Sequence, residues 1–494
     1  LELSQQQSER KRFTLDVLIR FAAQSILQLR TLIFLPVIAH QMGPTTYGIW
    51  SQITVTLTLL APILMLRLEI ASVRYLSSKV GQDASRDFFS MFLLILGFLV
   101  VICGLGFVFR GSLSIFLFND GSLIGYVNLF LLFLIARTAY LFLLNYYRVS
   151  KQMGKYSFIE LLTAGLEIGF AILLVSLGWG LEGVLIPFII VELVMGIILV
   201  VDILRRLGLP EEIGLKKTLP YVSYSAPLII NRIENWIVES GDRYLITHIL
   251  NVTQAGIYSA SYVLSQLAVF FLWPITFVLF PTIAKLWEEG KIEEVTSYMQ
   301  DSLRYFLLLA VPAALGIYYL SPLLLEILAT DQFVQDRNLV LFIVLGIFFL
   351  GVSQIYVYVL HLKEKTRVMA LVFIGAAIAN ITLNLLLIPE LGILGAAIAT
   401  AVAYLVRLAV VMGYSAKLHW IGFDLVFFAK TLVASAGMYI VLVLLDPQGL
   451  QTLLVTVIAG AASYFLIMFV IRGIGRHEID FIRQLMGKSG VQSS

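Results

Sequence analysis

Residues 40–51 read HQMGPTTYGIWS and residues 248–259 read HILNVTQAGIYS. Each begins with histidine and, eight residues on, runs Gly-Ile-aromatic-Ser: Gly48 to Ser51 answers Gly256 to Ser259 at an offset of 208. A second echo, Gly180-Leu181-Glu182-Gly183-Val184 against Gly392-Ile393-Leu394-Gly395-Ala396, lies at an offset of 212. Glycine turns recur by chance, so one such match says little. Two at nearly the same offset point to a chain built by duplication.

The runs between these turns show what is duplicated. The 494 residues are 60% hydrophobic and 13% charged, with mean hydropathy +0.93. A soluble domain needs roughly 25% charged residues to cover its core, so lipid must solvate the outer face. The apolar content also excludes disorder. A helix crosses a bilayer with about 20 apolar residues. Fourteen such runs lie near 13–39, 46–66, 88–109, 122–146, 157–177, 181–204, 219–248, 253–284, 301–320, 339–360, 367–388, 392–416, 423–445 and 450–471.

The expected fold is therefore all-α integral membrane: about 14 transmembrane helices in two pseudo-symmetric six-helix lobes plus two C-terminal helices. The boundaries are a lobe at 1–207, a linker at 208–218, a second lobe at 219–417, two further helices at 418–472 and a tail at 473–494. An even number of spans separates the echoes, so the halves share one orientation. They are expected to be parallel repeats about an axis normal to the membrane, an arrangement in which substrate binds between the halves.

Basic residues orient the chain. With alternating spans and a cytoplasmic N-terminus, twenty-three of the 34 Lys and Arg residues fall on cytoplasmic segments, while the opposite loops hold Arg110 and Arg337. This is the positive-inside pattern, and it places both termini in the cytoplasm. The first apolar run, after Arg10-Lys11-Arg12, is too long for a signal-peptide core and no small-residue cleavage site follows, so it is read as a span. A net charge of +3 gives no basis for nucleic-acid binding. The one cysteine, Cys103, cannot form an internal disulfide. No Cys/His spacing, P-loop or Ser/His/Asp order is present, so no metal, cofactor or catalytic residue is expected.

The remaining nine basic residues lie inside spans, where each charge costs about 2.5–3.5 kcal/mol at the helix centre. The first span carries Asp16, Arg20, Gln24 and Gln28 at i, i+4, i+8 and i+12, one helix face, with Arg30 and Thr31 beyond. Either Asp16 pairs with Arg20 near the interface, or the stripe lines a hydrated cavity. The seventh span opens the second half and holds Asn231, Arg232, Glu234, Asn235, Glu239, Asp242 and Arg243. Of these, Arg232, Asn235, Glu239 and Arg243 share a face, with Glu239–Arg243 pairing as the plainer alternative. Pro227 is placed to kink it. Arg67, Arg137, Arg304, Arg407 and Lys430 are further buried cations. Buried acids are about as numerous: Glu69, Glu160, Glu167, Glu192, Glu234, Glu239, Asp242 and Glu326. Arginine grips phosphate in a bidentate fork. The candidate anion-binding set is thus Arg20, Gln24, Gln28, Arg30, Arg67, Arg137, Arg232, Asn235, Glu239, Arg243 and Arg304. Glu160 and Glu167, i and i+7 on the fifth span, share a face. They either bind a coupling H⁺ or Na⁺ or pair with Arg137.

With fourteen spans and two related halves, three further stretches matter: GPTTYG (43–48) after the first span, RVSKQMGK (148–155) after the fourth, and Asp242-Arg243-Tyr244 leading into Ala255-Gly256-Ile257-Tyr258. Over nearly its whole length the chain resembles the polysaccharide-transporter branch of the multidrug/oligosaccharidyl-lipid/polysaccharide exporter superfamily, the O-antigen and exopolysaccharide repeat-unit flippases. The resemblance implies a V-shaped pair of six-helix lobes and alternating access. It also implies a cavity whose arginines hold the pyrophosphate-linked sugar of a polyprenyl carrier. The expected partners are that lipid-linked glycan, membrane lipid and polysaccharide polymerase or assembly proteins, in an inner or plasma membrane. Two other readings are a cation-coupled multidrug antiporter of the same superfamily, which would want acids and aromatics, and a membrane-embedded polymerase or ligase. The latter usually carries a substantial outward loop, and here those loops are short.

Overall fold

The computed structural model describes residues 2–79, 81–270 and 272–473, leaving aside the side chains of 2–18, 21, 28–33, 231, 273 and 277. The expected tail beyond Gly473 and the side chains of Asp16, Gln28, Arg30 and Asn231 therefore lie outside the described residues.

Every regular element among the described residues is helical. Helix α1 (Glu2–Leu64) carries the first two expected spans in one run, broken at Gly43. Its φ of 71° suits only glycine, and Pro44 follows without an N–H to continue the ladder. Two short helices, α2 (Leu68–Leu76) and α4 (Arg110–Phe118), are additions that hydropathy did not mark. Between and after them, α3 (Gly81–Val108), α5 (Ile124–Val149), α6 (Met153–Ser176) and α7 (Glu182–Leu207) complete the first six spans. The seventh expected span is α8 (Leu219–Ser225) followed by α9 (Pro227–Ile249), and the eighth is α10 (Val252–Ser265) with α11 (Leu272–Glu288). The eighth is bent by 51°. Helices α12 (Ile292–Leu328), α13 (Arg337–Leu362), α14 (Thr366–Leu391), α15 (Ile393–Leu418), α16 (Leu425–Leu445) and α17 (Leu450–Val470) complete the described residues.

Among the described residues, eleven helices are long and apolar enough to cross a membrane, or twelve if the bent pair is one span. Helix α9 is not among them, because five charged residues, Arg232, Glu234, Glu239, Asp242 and Arg243, interrupt it. It is one of the two helices that the sequence marks as polar leaders of their halves.

By packing, the chain divides into two compact units: Leu1–Ala260 with Leu328–Phe333 and Ile381–Ala396, and Ser261–Ile327 with Val334–Asn380 and Ala397–Ser494. Helices α8, α9 and most of α10 follow the first repeat in sequence yet pack within the first unit. Contact and descent thus divide the chain differently, and 1–207 and 219–417 are proposed as boundaries of descent. In the first unit, α5, α6 and α7 pack on one another and α6 packs on α1. Phe88 and Phe142 stack with centroids 5.1 Å apart in its core. In the second unit Phe306, Tyr356 and Tyr464 are fully buried, and the Tyr464 hydroxyl donates to the Leu308 carbonyl at 2.8 Å. Outward-facing Val100, Ile197, Leu444 and Phe469 are exposed, as spans in lipid require.

The duplication is visible in the backbone. Gly180 and Gly392 adopt φ of 60° and 61° at equivalent turns. Gly183 and Gly395, three residues on, both press against the backbone of the preceding helix, where a Cβ would come 3.1 Å from Leu174 C and 2.3 Å from Leu387 O. At the offset of 208 the two repeats meet directly. A Cβ on Gly48 would lie 2.0 Å from Val252 O, and one on Gly256 would lie 2.1 Å from Pro44 O. Each glycine meets the residue four before its own counterpart, the reciprocity of a twofold contact. Thr45 Oγ1 lies 2.8 Å from Thr253 Oγ1, and Ser51 Oγ donates to Ser259 Oγ at 2.7 Å. A residue touches its own equivalent only beside the axis, so a pseudo-twofold axis passes between α1 and α10 here.

Candidate functional site

On the cavity face predicted for the first span, Arg20 is half-buried and forms an ion pair with Glu160 of α6. A second N–H reaches Gln24 Oε1 at 2.9 Å, one turn on, and the guanidinium lies 4.7 Å from the Tyr156 ring centroid. Tyr156 and Glu160 are themselves one turn apart on α6, so two helices hold this cation from two sides.

A second cluster lies between α5, α6 and α7. Arg137 bonds to Glu192, which is wholly buried. Glu167, also wholly buried, lies within electrostatic reach of both. Beside them the Tyr140 hydroxyl donates to Thr163 Oγ1 at 3.0 Å. Glu160 and Glu167 share a helix face as the spacing predicts, but they serve different clusters, Glu160 with Arg20 and Glu167 with Arg137 and Glu192. The acid that binds Arg137 directly is Glu192. It was visible as an intramembrane acid but had no helical spacing to connect it with Arg137, 55 residues away.

The seventh-span residues meet the second half of α1 along one seam. Arg232 gives Nε and Nη2 to the Thr58 carbonyl at 3.2 and 2.8 Å. One turn on, Trp236 Nε1 donates to the Val55 carbonyl at 2.9 Å. Tyr244 then bonds with Thr56, and Gln52 Nε2 donates to Thr247 Oγ1 at 2.7 Å and to the Leu117 carbonyl at 3.2 Å. The face of α9 that does this runs Arg232, Trp236, Tyr244, Thr247. It shares Arg232 with the predicted face and otherwise lies about one residue round from it. Glu239 is exposed, and Asn235 is half-buried. Arg243 is buried and donates to the Glu239 carbonyl at 2.7 Å and to Asp242 Oδ1 at 3.0 Å. Its acidic neighbour is thus Asp242, whose other oxygen accepts from the Tyr258 hydroxyl at 2.5 Å.

Beyond the seam, Leu66 and Arg67 both take left-handed φ, 53° and 54°, where α1 gives way to α2. Arg67 pairs with Glu69 at 3.0 Å, and Ser225 donates to the Leu66 carbonyl at 2.7 Å. In the loop before α3, Lys79 bonds to Asp87 and to the Tyr221 hydroxyl at 2.9 Å. Burial acts to lower the Lys79 pKa, and these two partners outweigh it, so it stands above the ordinary value. In the second unit, Arg304 lies 4.6 Å from the Phe427 ring centroid, and Arg407 lies 4.3 Å from that of Phe373 and donates to Gln354 at 3.4 Å. Among the described residues no three His, Cys, Asp or Glu side chains are grouped to hold a metal ion.

A family model described as polysaccharide biosynthesis protein matches residues 37–336, the stretch that contains the whole α1–α9 seam. The chain belongs to this family. A second model, lipid II flippase MurJ, matches residues 242–470. The probable low-salt glycan biosynthesis flippase Agl15 of Haloferax volcanii is 24% identical over 49% of this chain and 50% of its own length. The probable lipid II flippase MurJ of Rickettsia prowazekii is 25% identical over 36% of each chain. An uncharacterized membrane protein of Methanocaldococcus jannaschii is 28% identical over 28% of this chain and 27% of its own. These matches span half or less of the relatives' lengths. Among solved structures, lipid II flippase MurJ in an inward closed conformation aligns over 92% of this chain and 98% of its own, with TM-score 0.74 and 16% identity. A multidrug resistance MATE family transporter, inward-facing, aligns over 81% and 97%, with TM-score 0.61 and 13% identity. The polysaccharide biosynthesis family member thus has the fold of that exporter superfamily, as the repeat and the span count predict. It is a multi-pass membrane protein whose named relatives are flippases and transporters.

Proposed function

We propose that this protein flips polyprenyl-pyrophosphate-linked oligosaccharide units across an inner or plasma membrane by alternating access, for surface polysaccharide assembly. The observation that carries this reading is the guanidinium of Arg232. It sits on a helix within a membrane fold and, among the described residues, forms no ion pair; it holds a neutral carbonyl. A cation kept in lipid without a carboxylate is costly unless function uses it, and a diphosphate supplies the bidentate acceptor it suits. The family match and the flippases among the relatives support the same substrate class. MATE transporters share the fold, so fold alone does not separate flipping from drug antiport.

In this reading Arg20, Arg232 and their neighbours attract the headgroup while the polyprenyl tail stays in lipid, and no covalent step or cofactor is needed. Transport couples to H⁺ or Na⁺ through Glu160 and Glu167, each of which already contacts an arginine cluster. Both termini face the cytoplasm, where linkers are basic, and polymerase or assembly proteins take the product on the far side.

The test is the leaflet distribution of lipid-linked glycan in cells lacking the gene. Accumulation on the cytoplasmic side, reversed by the wild-type gene and at most a tenth as fast by Arg20→Ala, is the expected result. An unchanged distribution together with new sensitivity to cationic dyes would overturn the reading in favour of the antiporter.

A further inference from the structure

The Thr58 carbonyl has an unusual need for a donor. In an α-helix it would accept from the N–H four residues on, but that residue is Pro62, which has none. Arg232, from the other repeat, supplies two N–H groups in its place. One proline has thereby made a single carbonyl of α1 depend on a side chain of α9. The other seam bonds are ordinary polar contacts between neutral groups. This one holds a full positive charge on a neutral acceptor.

We propose that Arg232 is a ligand-released latch: the Pro62-orphaned Thr58 carbonyl holds it at rest, and an anionic diphosphate headgroup displaces that carbonyl, freeing α9 from α1 as it binds. The ligand half of this rests on the flippase reading above; the latch half rests on geometry alone. A diphosphate offers the guanidinium a full opposite charge and a bidentate acceptor that a neutral carbonyl lacks, so the exchange favours the ligand. When it occurs, Thr58 O is exposed to the headgroup's own water and sugar hydroxyls, which can satisfy it. The latch also lowers apparent affinity, because only the unlatched fraction of the protein binds. Its place in the seam fits the role. Gly48 and Gly256 press backbone on backbone near one end. Arg232 lies five residues into α9, beside the α8–α9 break at Ala226 and Pro227. A change there moves α9 with the least disturbance of the axis contact.

The decisive variant is Pro62→Ala. Alanine restores the N–H, which takes the Thr58 carbonyl into the helix and leaves Arg232 unheld without altering Arg232 itself. Two readouts apply to the full chain in nanodiscs: affinity for geranyl pyrophosphate, and the distance between spin labels at Leu60 and Ile230 in a Cys103→Ser background. The expected result is a several-fold tighter Kd for Pro62→Ala and a label distribution without ligand like that of liganded wild type. Pro62→Ala/Arg232→Met, whose Thr58 carbonyl is satisfied within the helix and so does not threaten folding, should keep the open distribution and lose the affinity gain. Unchanged distances and affinity in Pro62→Ala would overturn the latch. Binding as tight in the double variant as in Pro62→Ala would overturn the ligand's role at Arg232. If geranyl pyrophosphate fails to bind even wild type while Pro62→Ala still opens the seam, the latch stands and the flippase reading fails.

Discussion

The same backbone position carries an aromatic pair in one repeat and an ionic one in the other. Phe34 and Trp50 pack with ring centroids 5.4 Å apart, with Phe188 against both. Moved by 208 residues, these positions become Asp242 and Tyr258, joined by a hydrogen bond of 2.5 Å with Arg243 beside them. The seam diverges likewise. Gln52 reaches Thr247 on one side of the axis, while the counterparts Ala260 and Ala39 are alanines with no exposed surface. On the axis the residues that meet their own copies have not diverged: Gly48 and Gly256, Thr45 and Thr253, and Ser51 and Ser259 are the same residues. The difference has a physical reason. A residue on a twofold axis meets its own copy, so a change in one member must suit the other. A residue off the axis meets something else, and each repeat can drift to its own solution. Here one repeat kept an apolar core and the other took on charge.

Replacing Asp242 with alanine should break the comparison most severely. It removes the carboxylate that Arg243 and the Tyr258 hydroxyl share, and losing one member of a buried pair costs about 3–5 kcal/mol. Thermal unfolding in detergent, followed by tryptophan fluorescence, should show a large drop. The conservative aromatic change Phe34→Leu should cost far less, and equal losses would deny the ionic cluster its special weight. The axis contact gives a sharper test. Gly48→Ala and Gly256→Ala should each destabilise by about 1–3 kcal/mol through overpacking. Their effects should match, because the contacts are reciprocal. The double variant should fall short of the sum, since one separation of α1 from α10 relieves both clashes. Fully additive losses would place the two glycines in independent contacts. The smallest effect belongs to the shared hydroxyl bond. Ser51→Ala should cost about 0.5–1.5 kcal/mol, and adding Ser259→Ala should cost little more, because the bond is already gone.

The site was only partly legible. Helical periodicity found Arg20 and Arg232 because a charge in a span stands out against its apolar neighbours. It could not find their partners. Glu160 lies 140 residues from Arg20, and the acceptor of Arg232 is a backbone carbonyl, which no side-chain pattern records. Pro62 was the available signal, since a proline inside a span always leaves a carbonyl without its donor, but prolines are common in membrane helices and this one did not say which donor would come. The seam face of α9 was not marked by the sequence, because Trp236 and Tyr244, apolar by composition, bond through their polar tips.

The sequence by itself determined the environment, the spans and the duplication. Lipid leaves a spanning backbone only helix or closed barrel, and apolar runs of about 20 residues select helix, while a repeat of turn residues survives wherever a turn needs glycine. Only the tertiary structure decided that the repeated turn lies on a pseudo-twofold axis, that α8 and α9 pack with the first unit, and which intramembrane charges are paired. Those depend on which helices become neighbours. In a membrane, where the outer surface of every helix is equally content in lipid, that choice rests on small residues and polar contacts scattered across the whole chain.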